Sequence, residues 1–293
     1  MPRTFNIAGP CIPGEHYMLP PGRRAPRVHA LIDEKLYFVI HAPRQSGKTT
    51  YLRSLCDDVM GAGERVAVYV SLARAQGLAE RDEGIPAIVG SVAAASRSLG
   101  ELGVGSTTVD RTLALGSSLA LGELLTQWCA SLPRPLVLLF DEADCLADDT
   151  LISFLRQLRE GYVERATLPF PASVALVGMR NIRDYKARIR PDRESLGSAS
   201  PFNILSDSLT LRDFTRDEVA ELYQQHTEDT GQRFEEPAVD LVFDLTNGQP
   251  WLVNALARHC VRELVTDRSL PVTVAHVEEA KERLILARAT HLD

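Results

Sequence analysis

The stretch YFVIHAPRQSGKTTYLRSL, residues 37–55, decides the fold expected of this chain. Its apolar beginning is typical of a buried strand, and the strand stops at a small, polar, turn-forming segment. After this turn, Leu52, Leu55 and Val59 fall on one face of a helix. A strand, turn and helix in this order direct the backbone N–H groups of the turn and the positive end of the helix toward one point. The stretch therefore indicates a site for an anion such as phosphate.

The turn matches the phosphate-loop pattern G-x-x-x-x-G-K-[ST] except at its first position, where Ala42 replaces glycine. In such a loop Gly47 lets the backbone approach phosphate oxygens closely, and Lys48 places its ammonium on the β- and γ-phosphates of a nucleotide. The hydroxyl of Thr49 is expected to bind Mg²⁺. The residues predicted to bind ATP are Ala42, Pro43, Arg44, Gln45, Ser46, Gly47, Lys48, Thr49 and Thr50.

A second apolar run, PLVLLFDEADCL at 135–146, ends in two carboxylates. A continuous apolar run is typical of a central strand in a parallel sheet. At the end of this strand Asp141 is predicted to hold Mg²⁺, directly or through water, and Glu142 to polarise the attacking water as general base. The alternative is a solvated acidic loop that follows a core strand. The letters DEAD at 141–144 do not predict a helicase, because no second series of alternating strands and helices follows them.

Strands and helices alternate along the first two thirds of the chain, which predicts a parallel sheet covered on both faces. The expected strands are 36–41, 65–71, 136–140, 172–179 and 208–214. The expected helices are 48–60, two pieces within 84–131 broken near 100–108, 150–164, 215–231, 236–246, 250–265 and 274–289. We therefore predict an α/β fold with an N-terminal arm (1–35), a nucleotide-binding core (36–212) and a small helical lid (213–293).

The composition of the 293 residues is that of a soluble globular protein, with 45% hydrophobic and 24% charged residues. The net charge of -7 excludes a basic field over the whole surface, so nucleic-acid binding is not indicated, although a local basic patch stays possible. No apolar run approaches the roughly 18 residues of a membrane span. The 5 scattered cysteines favour a reduced, cytosolic protein.

Three further segments carry a resemblance to a known family. They are FNIAGPCIPGEHYMLPP at 5–21, SPFNI followed by LTLRDFTRDEVAEL within 200–222, and TNGQPWLVNALA at 246–257. Together with the phosphate loop and the acidic strand end, their order resembles that of the AAA-like P-loop ATPases. Within that class it is similar to the signal-transduction ATPases with numerous domains (STAND) and to the archaeal-type ATPases. The resemblance implies an ATP hydrolase with a helical lid.

The resemblance also implies roles that spacing alone does not assign. The sensor of the γ-phosphate would be Arg180 or Asn181, although the family more often has a lone Asn, Thr or Ser there. Gln249 and Pro250 belong to a Gly-x-Pro turn that would lie against the nucleotide. The same turn also fits a simple boundary where one helix ends and the next begins.

The N-terminal segment and the basic residues after the fourth strand leave alternatives open. Tyr17 either frames the adenine or anchors the N-terminal arm on the core, and the structural role is favoured for His16. Residues 180–193 contain six basic and two acidic side chains. One of the basic residues is a candidate arginine finger. The alternatives are a contact with an acidic partner or nucleic acid, and a solvated loop.

The expected function is that of a Mg²⁺-dependent ATPase that acts as a nucleotide-driven switch, either by self-association or on an effector protein. The alternative is an initiator-type ATPase associated with nucleic acid. A protein with a dead site is disfavoured, because Lys48, Thr49, Asp141 and Glu142 are all present. A small-molecule kinase would need a substrate pocket that the sequence does not reveal.

Overall fold

The computed structural model describes residues 3–179 and 201–289 and contains a five-stranded sheet. The strands are β1 (Tyr37–His41), β2 (Val66–Ser71), β3 (Leu136–Asp141), β4 (Ser173–Gly178) and β5 (Leu205–Thr210). Their order is β2-β3-β4-β1-β5, and all neighbouring strands are parallel. The predicted α/β class with a parallel sheet is therefore confirmed.

Helices connect the strands and continue beyond the sheet. The α-helices are α1 (Arg27–Asp33), α2 (Lys48–Gly61), α3 (Arg81–Ser96), α4 (Ser106–Leu113), α5 (Ala120–Ser131), α6 (Asp148–Glu164), α7 (Arg216–Thr230), α8 (Glu236–Thr246), α9 (Pro250–His259) and α10 (Val274–Ala289). Among the described residues, none of these helices has the length and apolar character needed to cross a membrane.

The sheet belongs to a compact unit formed by Ala25–Pro43 and Leu52–Leu211. All six residues of β3 are buried, because a strand inside a parallel sheet is covered on both faces. The core packs the strands against α3, α5 and α6, and the rings of Phe140 and Phe154 meet edge to face at 5.2 Å. The continuous apolar runs of the sequence thus correspond to strands buried on both sides.

A second compact unit combines Met1–Arg24, Arg44–Tyr51 and Arg212–Asp293. Its own core joins the N-terminal arm to helices α7 to α10, with the rings of Phe5 and Tyr17 4.7 Å apart. This unit therefore contains most of the phosphate loop together with the C-terminal helices. The domain boundaries expected at residues 35 and 212 stay predictions.

Helix α7 begins and ends as the sequence predicts. The side chain of Thr215 accepts a hydrogen bond from the backbone of Glu218, and the carboxylate of Glu218 accepts one from the backbone of Thr215. This reciprocal capping box satisfies two N–H groups that the first helical turn leaves unpaired. Gly231 follows the helix in the left-handed conformation, with φ 79°.

Two secondary-structure predictions were wrong in their boundaries. The helical region before β3 contains three α-helices rather than two pieces, because the chain turns at Gly116, where φ is 87°. The last strand covers 205–210 rather than 208–214, because its register is set by pairing with β1, where His41 is opposite Thr210. This pairing partner lies far away in the sequence, so a local pattern does not define the end of the strand.

A buried histidine links the N-terminal arm to α7. The Nδ1 atom of His226 is 3.2 Å from the hydroxyl of Tyr17, and its Nε2 atom is 3.0 Å from the Oε1 atom of Gln232. These partners fit a neutral ring that accepts from Tyr17 at Nδ1 and donates from Nε2. Burial lowers the pKa of His226 and raises the pKa of Tyr17 to about 12, so both groups are neutral at physiological pH.

We expect the protein to lose stability in mild acid because of His226. Its pKa is depressed in the folded state, while the unfolded chain titrates near pH 6.5, about the ordinary value. As the pH falls below about 6.5 the unfolded state binds the proton first, so the free energy of unfolding decreases. Denaturant unfolding between pH 7.5 and pH 5 measures the slope. His226→Gln removes the titrating ring, and an unchanged slope in this variant would contradict the assignment.

Candidate nucleotide-binding site

The phosphate loop has the backbone conformation that its sequence predicts. Gln45 and Gly47 have positive φ angles of 61° and 78°, and α2 begins directly afterwards at Lys48. The left-handed conformation at position 47 favours glycine. The first N–H groups of α2 therefore belong to a tight turn, where such groups and the helix dipole favour bound phosphate.

Ala42 stands where the loop pattern usually has glycine, and its surroundings explain the replacement. Its backbone N–H donates to the carbonyl of Gly178 at 3.1 Å, which extends the pairing of β1 with β4 by one residue. Its φ angle is not positive, and its side chain is buried. This position therefore needs no glycine, and a small apolar side chain fills the space.

Arg24 contacts the backbone of the phosphate loop, a role that no local sequence pattern indicates. Its Nη1 atom donates to the carbonyl of Ser46 at 2.7 Å, and its Nε atom donates to the carbonyl of Arg212 at 2.6 Å. Burial lowers the pKa of Arg24 to about 10, so the guanidinium stays charged at neutral pH. One buried cation therefore joins the loop to the segment that precedes α7.

The Gly-x-Pro turn forms the helix boundary that the sequence allows, and its contact with nucleotide stays a prediction. The Oε1 atom of Gln249 accepts from the backbone N–H of Leu252 at 2.6 Å and caps α9, whose first residue is Pro250. The Nε2 atom of the same side chain donates to the carbonyl of Gln45 at 3.3 Å. The turn is therefore a helix cap that also contacts the phosphate loop.

A cavity beside the loop is lined by apolar side chains and a few polar groups. Its lining consists of Cys11, Tyr17, Met18, Leu19, Arg24, Gly47, Thr50, Tyr51, Phe214, Leu222, Pro250 and Asn254. The buried polar atoms of the lining residues include Nη2 of Arg24 and Oδ1 of Asn254, which have no hydrogen-bond partner among the described residues. Because such atoms are costly to bury unpaired, they favour a ligand with polar edges and apolar faces.

The N-terminal arm closes one side of this cavity. The backbone N–H of Cys11 donates to the hydroxyl of Thr50 at 3.0 Å, and the Nδ1 atom of His16 accepts from the backbone of Ile12 at 2.8 Å. Tyr17 is buried and bonded to His226, so it anchors the arm while one part of it lines the cavity. The structural role expected for His16 agrees with its place in this turn.

The acidic residues lie at the carboxyl end of β3, and hydroxyl groups from β2 contact both of them. Asp141 is buried, with Oδ1 accepting from the backbone of Glu142 at 2.9 Å and Oδ2 accepting from the hydroxyl of Tyr69 at 3.1 Å. Glu142 is exposed, has φ 61°, and accepts from the hydroxyl of Ser71 at 2.7 Å. The two carboxylates therefore have different surroundings, one enclosed and one open to water.

The next carboxylate of the DEAD segment has a structural contact. The Oδ2 atom of Asp144 accepts from the backbone N–H of Met179 at 2.8 Å, just after β4 ends. The predicted sensor residues Arg180 and Asn181, and the basic segment 180–193, lie outside the described residues. Their roles stay predictions.

The cysteines of this region are not activated. Burial raises the pKa of Cys56 to about 12, and burial together with the charges of Glu142 and Asp144 raises the pKa of Cys145 to about 11. Both thiols are therefore protonated at neutral pH and are not suited to nucleophilic chemistry.

Comparisons with known proteins identify the class of this fold. A family model described as AAA domain matches residues 32–185 of the 293 residues, which is more than half of the chain. No curated protein matches the sequence. The chain belongs to the AAA domain family and is a P-loop ATPase, which confirms the class of enzyme predicted from its motifs.

Solved structures with the same fold are distant in sequence. The Walker-type ATPase PABY2304 of Pyrococcus abyssi is 13% identical, with a TM-score of 0.64, over 98% of this chain and 79% of that protein. Cdc6p from Pyrobaculum aerophilum is 17% identical, with a TM-score of 0.58, over 86% of this chain and 63% of that protein. The ORC1 protein of Aeropyrum pernix, solved in complex with DNA, is 17% identical, with a TM-score of 0.53, over 93% of this chain and 68% of that protein.

Proposed function

We propose that the protein binds ATP with Mg²⁺ through residues 42–50, hydrolyses it with Glu142 as general base, and acts as a nucleotide-driven switch. The observation that carries this proposal is the pair of contacts that Arg24 and Gln249 make with carbonyl groups of the phosphate loop. Both contacts belong to one compact unit that also contains the C-terminal helices. Nucleotide bound in the loop would therefore affect the contacts of Arg24 and Gln249 with the loop carbonyls, and Gln249 belongs to the predicted helical lid.

The predicted phosphate ligands suit the triphosphate, and the cavity suits the base. Lys48 supplies a cation at the start of α2, where the helix dipole also favours anions. The lining of the cavity includes the aromatic residues Tyr17 and Phe214, together with Arg24 and Asn254, which each have one buried polar atom without a hydrogen-bond partner among the described residues. A purine, which has two apolar faces and a polar edge, is complementary to such a lining.

Asp141 and Thr49 are the residues that would hold Mg²⁺. A carboxylate and a hydroxyl are hard donors of the type that Mg²⁺ prefers, and phosphate oxygens and water would complete the coordination. The metal would supply charge neutralisation on the β- and γ-phosphates. Glu142 is exposed at the end of its strand, so its carboxylate can accept a proton from water.

The switch would work through the contacts of the loop carbonyls. A phosphate drawn onto the N–H groups of residues 44–49 fixes the peptide planes whose carbonyls accept from Arg24 and Gln249. Loss of the γ-phosphate would relax these peptide planes. The change would reach the cap of α9 because the side chain of Gln249 contacts both the loop carbonyl and the backbone N–H of Leu252. Self-association or an effector protein would then sense the state of the lid.

We expect Lys48→Ala to lower nucleotide affinity at least about tenfold, which is on the order of 1.4 kcal/mol, because it removes the cation on the phosphates. Calorimetry with a non-hydrolysable ATP analogue measures this loss. In the same samples, hydrogen exchange at residues 248–253 should slow on adding nucleotide to the parent protein and not to the variant. Lys281→Ala on α10 is the control and should bind like the parent. Equal affinity of parent and Lys48→Ala would refute the site.

The alternative is an initiator-type ATPase associated with nucleic acid. The fold similarity to ORC1 and Cdc6p favours it, whereas the net charge of -7 does not. Fluorescence anisotropy with duplex DNA, measured with and without nucleotide at two salt concentrations, distinguishes the two functions. Salt-sensitive binding to DNA would favour the initiator type over a switch on a partner protein.

A further inference from the structure

The edge strand β2 presents two hydroxyl groups toward the acidic end of β3. Tyr69 and Ser71 are the polar residues of a strand that is otherwise Val and Ala, and they are two positions apart, so their side chains share one face. In the register of the sheet, Ser71 is opposite Asp141 and Tyr69 is opposite Leu139. The face of β2 that carries both hydroxyls is therefore the face that carries Asp141 on the neighbouring strand.

Each hydroxyl donates to a different carboxylate. The hydroxyl of Tyr69 donates to Oδ2 of Asp141 at 3.1 Å, while Oδ1 of the same carboxylate accepts from the backbone of Glu142 at 2.9 Å. Because each oxygen accepts from a different donor, rotation of the Asp141 carboxylate about its Cβ–Cγ bond is restricted. The hydroxyl of Ser71 donates to Glu142 instead, at 2.7 Å.

The ring of Tyr69 is itself held in place. The guanidinium carbon of Arg53 lies 5.6 Å from the centroid of this ring, within the range of a cation–π contact. Arg53 belongs to α2, the helix that begins with Lys48 and Thr49. A chain of contacts thus runs from the helix after the phosphate loop, through the phenol of Tyr69, to the buried carboxylate of Asp141.

We propose that Tyr69 is a positioning residue that fixes the orientation of the Asp141 carboxylate for Mg²⁺, with Arg53 holding its ring. The inference rests on the proposed function, because it assigns Asp141 to the metal. Hydrogen bonds from neighbouring groups orient metal ligands and tune their affinity, and they are strongest when the acceptor is charged. Since the contact of the Tyr69 hydroxyl is with the carboxylate of Asp141, its effect on the metal would act through Asp141.

The test compares metal-dependent and metal-free nucleotide binding. Calorimetry with a non-hydrolysable ATP analogue is done in EDTA and at increasing Mg²⁺, and the Mn²⁺ affinity of the protein–nucleotide complex is measured by electron paramagnetic resonance. For Tyr69→Phe we expect an unchanged affinity in EDTA, within about twofold, and a metal affinity about five- to tenfold weaker. Arg53→Gln should have a smaller effect in the same direction.

Two variants serve as matched controls. Tyr162→Phe removes a phenol hydroxyl from α6, away from the carboxylates, and should leave metal affinity unchanged. Ser71→Ala removes the neighbouring hydroxyl, which contacts Glu142 rather than Asp141, so metal affinity should again be unchanged.

The outcomes separate this inference from the proposed function. Metal affinity in Tyr69→Phe equal to that of the parent would overturn the inference while the nucleotide site stands. An equal loss of nucleotide affinity in EDTA and in Mg²⁺ would also overturn it, because Tyr69 would then only support the fold. A parent protein that binds no nucleotide under either condition would refute the proposed function, and the inference with it.

Discussion

Glu142→Gln is expected to bind ATP as tightly as the parent protein, within about twofold, and to release phosphate at least about 100-fold more slowly. The amide cannot take a proton from the attacking water. Its oxygen can still accept from the hydroxyl of Ser71, which contacts Glu142 at 2.7 Å, so the position of the side chain is kept. Phosphate release at saturating ATP measures turnover, and calorimetry measures binding.

The control for this variant is Glu164→Gln, which changes the charge in the same way at the end of α6, away from the acidic strand end. It should hydrolyse ATP at the rate of the parent. Turnover in Glu142→Gln that matches this control would show that another group accepts the proton.

Gly248→Ala is expected to destabilise the protein by about 3 kcal/mol. A Cβ atom at position 248 would lie 1.9 Å from the carbonyl oxygen of Phe214, and φ there is 75°. The two segments cannot separate easily, because the backbone N–H of Phe214 donates to the carbonyl of Gly248 at 2.9 Å. Denaturant unfolding followed by circular dichroism measures the loss in the free energy of unfolding.

Gly231→Ala is a matched control because it separates the clash from the backbone strain. Gly231 has a similar φ of 79°, but a Cβ atom there would have nothing within 4 Å. Its loss should therefore be about 1 kcal/mol, which is the cost of a left-handed conformation alone. If the two variants lose the same amount of stability, residues 214 and 248 do not approach each other as closely as described.

The sequence predicts the parts of the fold that depend on local patterns. Apolar runs locate the strands β1 to β4 within one or two residues, because most positions of these strands are buried and apolar. The capping box of Thr215 and Glu218 locates the start of α7 for the same local reason. The phosphate loop is recognised because its glycine, lysine and threonine act within a few residues of one another.

Contacts between distant segments could not be predicted in this way. Arg24 acts on Ser46, 22 positions away, and no spacing in its own neighbourhood indicates that its guanidinium is buried. Tyr69 is 72 positions from Asp141. The sequence does show two polar side chains, Tyr69 and Ser71, at alternate positions of the apolar strand β2. This pattern points to Asp141 only when β3 is known to be the neighbour of β2.

The phosphate loop is held by two residues, Arg24 and Gln249, that are synthesised at very different times during translation. Gln249 is 204 positions from the Gln45 carbonyl that it holds, whereas Arg24 precedes the loop. During synthesis the loop and Arg24 emerge early, but the contact with Gln249 must wait until α9 has been translated. Bringing together ends so far apart costs chain entropy, although this cost grows only slowly with length. The loop is therefore complete only late in folding, and a nascent chain cannot hold it in its final form before its C-terminal helices exist.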